Sequence, residues 1–318
     1  MSGKEQEKSE SWLSTIFEGG LPQIIAGPAG KAFSRLIGAT IEIPASYVDG
    51  IAQGVKDKTA AKSLVANAIA ERAAIMAVED SEIMGRAVDS LLASQYRKQE
   101  NKEEIVKLAI EDLNETPPSS DSQGPSDDWM NKFERYAEDA SSDELRLMYA
   151  KLLAGEIRKE KSVSAATLHF VSLLDNDVTN LIERVLPYAS NEGFVFQELV
   201  KPELTYLERT VLEQSGFWTM DKRITLTHDD DGKLIYEFRD GLGFYTEAAP
   251  SHKTIFIGSV LSKAGRDLAQ TINRGFEITA LCKLLYTKGA TRAAFGEYSK
   301  NGNRVALSNM FDVPADAP

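Results

Sequence analysis

The 318-residue chain has one cysteine, Cys282, three histidines and no long apolar run. A lone cysteine excludes an internal disulfide and every CxxC metal or redox motif, and such sparse thiol use suits a reducing compartment. His169, His228 and His252 stand too far apart to share one helix face, so no helical metal-binding pair exists. HExxH, GxSxG, Walker A and GxGxxG patterns are all missing. The longest early uncharged run, Gly19 to Gly30, is broken by Pro22 and Pro28 and falls short of the ~20 apolar residues that span a bilayer. The opening residues, MSGKEQEKSESW, alternate in charge and lack the apolar core of a signal peptide. The expectation is therefore a cytoplasmic protein with no cofactor, no metal and no catalytic residue.

What is present is ordinary globular composition, 42% hydrophobic and 26% charged, long enough for two domains. Thirty-six Lys and Arg against 48 Asp and Glu leave a formal net charge of -12. That balance argues against a broadly basic nucleic-acid binder, though a local patch stays open. The acidity is uneven: 13 basic and 18 acidic side chains in residues 1–115, 8 and 15 in 116–200, and 15 of each in 201–318.

The chain falls into blocks. Residues 19–54 hold seven glycines and three prolines among bulky apolar residues. Phe33, Leu36 and Ile37 form an apolar face with Lys31 and Arg35 at its start. Two readings fit: an interfacial segment docking on a membrane or a partner, or a packed helical hairpin whose glycines allow close approach. From Thr59 to Leu113 the period is helical, in two runs divided at Asp80-Ser81. Residues 114–128, NETPPSSDSQGPSDD, read as a flexible linker.

Trp129 opens a second helical block. Ser141 to Glu144 has the S-x-x-E form of a capping box, with Ser141 as N-cap. Leu145, Met148, Tyr149, Leu152, Leu153 and Ile157 then mark one helical face. Ser164 and Asp177 are expected to cap two further helices, the last stopped by Pro187. Beyond it, Pro202 opens a helix with Leu204, Leu207, Val211 and Leu212 inward, and Gly216 takes the C′ place. Arg223–His228 and Lys233–Phe238 alternate around Asp229-Asp230-Asp231-Gly232 as a hairpin, and Lys253–Ile257 is a further strand. Helix, hairpin, strand and L-S-x-x-G-x-x-L make a winged-helix-like order. The tail from Phe276 is less regular, and Ala280–Tyr286 fits either a helix or a buried strand.

Few polar residues stand out. Asp229, Asp230 and Asp231 suit a solvated turn better than a cation site. Glu156, next to Gly155 in an amphipathic helix, is expected to pair with a cation across a close helix contact. Lys253, Lys263, Arg266 and Arg274 are the cations that a DNA contact would use, although phosphate binding calls for a denser basic surface.

The stretch Trp129 to Asp175 resembles a bacterial family, domain of unknown function 2806. Trp129, Phe133, Ala137, Ser141, Leu145, Ala150, Leu152, Leu153, Ala154, Glu156, Ser164, Thr167 and Leu168 occupy its W…F…A…S-x-x-x-L…A-x-L-L-A-x-E…S-x-x-T-L pattern. The resemblance extends over most of residues 20 to 275. The chain is more loosely similar to abortive-infection alpha (Abi-alpha) proteins, which implies a role in bacterial defence against phage.

The expected fold is α+β, mainly α: a tail (1–18), a helical domain with a Gly/Pro-rich amphipathic opening (19–113), the linker (114–128), a helical bundle (129–190), a winged-helix-like module (191–275) and a C-terminal extension (276–318). The expected function is that of a non-enzymatic interaction protein with a protein partner or self-association. A membrane surface reached through 19–54, peripheral to the inner membrane, and DNA are the other partners. The interaction candidates are Phe33, Leu36, Ile37, Lys31, Arg35, Glu156, Lys263 and Arg266. A DNA-binding regulator acting through the C-terminal module is the alternative.

Overall fold

The computed structural model describes residues 27–38, 81–239, 241–272, 278–302 and 304–315. The readings for 1–18, for the run that starts at Thr59 and for most of 19–54 lie outside them. The chain divides into two compact units, Met1–Lys161 and Ser162–Pro318. The described residues are α+β and mainly α, with nine α-helices and seven strands.

The first unit is helical. Pro28 starts α1 (Pro28–Ile37) and Gly38, with φ 69°, ends it. One helix, α2, runs Ser81–Glu115. α3 is Asp127–Ala137 and α4 is Asp143–Arg158. The expected apolar stripe of α4 is realised: Met148, Tyr149, Leu152, Leu153 and Ile157 are buried, as are Ile105, Val106, Ala109, Ile110 and Leu113 of α2, on which α4 packs. Trp129 stacks on Phe133 at 4.9 Å, and Tyr149 meets the edge of Phe133 at 5.8 Å. Polar groups fix the register. Asn101 Oδ1 accepts from Arg146 Nη2 at 2.8 Å, and Arg158 Nε donates to the Thr116 carbonyl at 2.7 Å.

Two local expectations change here. The α4 N-cap is Ser142, whose Oγ accepts from the Leu145 N–H at 3.2 Å, so Ser141 stands one residue too early. Residues 116–126 are a surface loop inside the first unit, not a linker between domains. The Ser122 hydroxyl bonds the Ile157 carbonyl, and Gly124, at φ 67°, lies so near Pro28 that a Cβ there would come within 2.5 Å. The division at Lys161/Ser162 instead cuts the expected 129–190 bundle, leaving α3 and α4 with α2.

The second unit opens with α5 (Ala165–Ser172), capped by Ser164 as expected, and α6 (Asn176–Val185). The cap of α6 is Asp175, which accepts the Val178 N–H at 2.8 Å, rather than Asp177. A short strand β1 (Phe194–Val195) follows, then α7 (Tyr206–Gln214), β2 (Trp218–Thr227), β3 (Lys233–Arg239), β4 (Leu242–Glu247) and β5 (Lys253–Leu261). α8 is Lys263–Thr271, α9 is Ile278–Thr287, and β6 (Arg292–Asn301) and β7 (Arg304–Val313) close the unit. Ala280–Tyr286 is thus helix. Pro202 does not open α7: Thr205 caps it in a reciprocal box with Glu208, and Gly216 has the left-handed φ of 83° that its place predicts.

Two antiparallel sheets form, β1-β5-β2 and β3-β4-β6-β7. The expected β2–β3 hairpin is therefore absent. Asp229 does make the turn, its Oδ1 accepting from the N–H groups of Asp231 (3.0 Å) and Lys233 (2.7 Å). The strands then part, because the segment entering β5 takes the partners: Ser251 N–H donates to Asp229 O and His228 N–H to His252 O. Phe194, Phe196, Phe238, Phe244 and Phe256 pack with Leu281, Cys282 and Leu285 of α9 as one core. Gly258 allows β1 to approach, since a Cβ there would lie 2.0 Å from the Val195 carbonyl.

Candidate functional site

Most of the polar candidates are committed to holding the fold. Arg35 Nε donates to Glu134 at 2.6 Å and Nη1 to Asp127 at 3.0 Å, tying α1 to α3. Phe33, Leu36 and Ile37 are buried, so this face is packed inside the first unit; of these five candidates only Lys31 is exposed. Glu156 is also buried, and its Oε1 accepts from the Lys161 N–H at 2.7 Å, which closes the turn after α4 where Lys161 has φ 65°. A backbone donor is thus one partner of the carboxylate that was expected to pair with a cation across a helix contact.

In the second unit Lys263 pairs with Asp267 on its own helix, and Arg266 Nη1 donates to the Leu261 carbonyl at 2.9 Å. Lys253 is exposed at the start of β5, and Arg274 lies outside the described residues. Asp267 is the residue that sequence reasoning missed. Its buried carboxylate accepts from Thr167 Oγ1 at 2.6 Å and the Ser164 N–H at 2.9 Å, fastening the start of α5 to α8. Its partners lie 100 and 103 positions away, so no local pattern announces it.

Among the described residues, no His, Cys, Asp and Glu side chains form a group of three able to hold a metal. His228 is buried, with Nδ1 3.1 Å from the His252 carbonyl and no hydrogen-bond partner at Nε2. His252 Nε2 lies 2.8 Å from the Lys288 carbonyl, and His169 is exposed. Burial pushes the Cys282 thiol up to about 12, which suppresses the thiolate that a nucleophile needs.

The surface offers apolar groups instead. On the first half of α2, Ile83, Leu91, Leu92 and Tyr96 are 57–64% exposed and Val88 39%. At 100° per residue Met84, Ala87, Val88, Leu91 and Leu92 fall within about 140° of the helix circumference, with Ile83 and Tyr96 about 40° beyond its two edges and Gln95 among them. The spacing announced the face; only the structure places it at the surface. In the second unit Tyr206 and Leu207, in the first turn of α7, are 72% and 70% exposed. Leu207 was expected inward. The T-x-x-E box at Thr205 was the available signal, since it sets the helix start and turns Leu207 outward. No described helix is long and apolar enough to cross a membrane.

Residues 85–200 match the model of a protein family of unknown function, DUF2806. The match is narrower than residues 20 to 275, the span of the sequence resemblance, and it runs across the Lys161/Ser162 division. Within the DUF2806 segment, Trp129, Phe133, Ala137, Leu152, Leu153, Ala154, Thr167 and Leu168 are all buried, so the motif marks packing positions. No curated protein and no solved structure matches the chain.

Proposed function

We propose that the protein is a non-catalytic, cytoplasmic interaction protein acting in bacterial defence of the abortive-infection type. The apolar face on the first half of α2 makes its contact with a protein partner or a second copy. The observation that carries this reading is the exposure of Ile83, Leu91, Leu92 and Tyr96 along about three and a half turns of one helix. A soluble surface rarely gathers large apolar side chains in a row unless another protein covers them. The likeness to Abi-alpha proteins supplies the defence context. Bacteria expressing the full chain, challenged with a phage panel beside an empty-vector control, test the reading. Reduced plaquing or early growth arrest on infection is the expected outcome; identical plaquing and growth across the panel would count against it.

A second reading, a DNA-binding regulator, draws on the second unit. A helix (α6), short strand (β1), helix (α7) and two strands (β2, β5), with the last strand in the middle of the sheet, follow the order of a winged helix. On this reading β3 and β4 form an insertion between the two wing strands. α7 holds the position of the recognition helix, yet it carries Glu208 and Glu213 against Arg209, with Tyr206 and Leu207 outermost. That surface suits a protein better than a phosphate backbone. Salt-dependent DNA binding by the full chain would favour the regulator.

A further inference from the structure

The apolar stripe of α2 is one line, covered over one half and open over the other. Ala87, Val88, Leu91 and Leu92 precede Ile105, Val106, Ala109 and Ile110 one for one, about five turns back on the same helix face. The later set is buried, and α4 packs over it. That cover starts at a definite level. Lys98 Nζ pairs with Glu138 at 2.6 Å, Gln99 Nε2 donates to the Ile37 carbonyl at 2.9 Å, and Asn101 Nδ2 donates to the Glu138 carbonyl at 2.9 Å. Before that level, in residues 82–97, every residue is exposed except the half-buried Met84 and Ser94.

Charge and glycine say what such a stretch accepts. Its four charged residues, Glu82, Arg86, Asp89 and Arg97, fall on the far side of the helix at 100° per residue. Glu82 and Arg86 pair with each other there at 3.4 Å. Gly85 lies at the edge of the apolar face, next to Leu92. Glycine weakens a helix interior, yet a Cβ at Gly85 would meet nothing within 4 Å, so no contact of the described residues calls for it. A fitting cover is therefore apolar, follows the helix for about 24 Å and comes close at Gly85.

We propose that the cover is the same stretch of α2 from a second copy of the chain, laid antiparallel. The proposal rests on the reading of α2 as a contact surface and names what it contacts. The open stretch is centred between Asp89 and Ser90, and a two-fold axis at that point matches its layers to one another. Val88 meets Leu91 of the second copy, Met84 meets Gln95 at the two ends, and Leu92 passes over Gly85, where glycine leaves room for it at the usual spacing of about 8–10 Å. This register uses the whole stretch, because the second copy's helix begins where Ile37 and Glu138 begin the cover of the first. A parallel pair fails: it sets both covers at one level, in the space that each partner helix needs.

Sedimentation of the full chain over a concentration series tests this, with Leu91→Asp/Leu92→Asp and Gly85→Glu checked for folding by melting. The expected result is a wild-type dimer whose dissociation constant rises at least about a hundredfold in the charged pair. It rises at least about tenfold in Gly85→Glu, although glutamate suits a lone helix better than glycine does. Spin labels on Asp89→Cys or Arg97→Cys read the orientation, since both lie on the far side and Cys282 is buried. Antiparallel helices offset the two labels along the axis by about 2 Å at 89 and about 22 Å at 97, so the measured separation is longer at 97. Equal separations overturn the proposal, as does a dimer that persists in either variant. A monomer at every concentration also overturns it, whether residues 59–78 of the same chain or another protein cover the face. If that monomer loses its phage protection in the charged pair, the α2 contact stands and self-association alone fails; a dimer that gives no protection is the reverse case.

Discussion

Cys282 sits among Phe238, Phe244, Leu281 and Leu285 with its thiol pushed up to about 12 by burial. At pH 8 the folded protein is therefore expected to resist iodoacetamide over hours and to take one equivalent on unfolding in denaturant. Mass spectrometry reads both states, and rapid labelling of the native chain would contradict the burial. Asp267 allows a second prediction at this scale. In Asp267→Ala the Thr167 hydroxyl and the Ser164 N–H lose their acceptor and Lys263 its ion pair. A loss of about 2–3 kcal/mol follows, or about 4–8 °C in the melting midpoint, measured by calorimetry. Residues with local partners were legible: Ser164 caps α5 as its own sequence says, and the caps of α4 and α6 lie within two residues of expectation. Asp267 was not, because its role exists only once α5 and α8 meet.

Among the elements, α2 divides into halves of different character. Its 35 residues extend about 52 Å. From Asn101 onward its inward positions are buried by α4, whereas from Glu82 to Arg97 none is. Periodicity revealed an apolar face in both halves, since helical spacing is a property of the sequence alone. Which half finds a cover within the chain is a tertiary fact, and no spacing records it. The hairpin expected at residues 223–238 failed for a related reason. Alternation and an Asp-rich turn fix a reversal of the chain, but the partner of each strand is chosen by longer-range competition. β5 wins β2 through the register Ile224↔Phe256 and Leu226↔Thr254, with Phe256 and Leu226 facing the core.

For the whole molecule, the α+β, mainly α class followed from the composition of successive blocks, while the division between units did not. The Pro- and Ser-rich stretch at 114–128 looked like a boundary because it cannot bury much apolar surface. Its backbone is nonetheless held by Ser122 and by the close approach of Gly124 to Pro28. The actual division at Lys161/Ser162 falls in a short turn with no compositional mark. The same packing decides how the defence reading can be tested. Removing residues 19–54 would delete buried Phe33 and Leu36, at about 3 kcal/mol or more for the phenylalanine alone, and would confound folding with function.

The direct measurement is phage plaquing on cells expressing wild type or Leu91→Asp/Leu92→Asp at matched protein levels. Both positions are exposed, so the pair should alter stability by no more than about 1 kcal/mol, checked by melting. Contact through α2 predicts that wild type protects and the charged pair does not, with unchanged melting. Full protection by the folded double variant would contradict it.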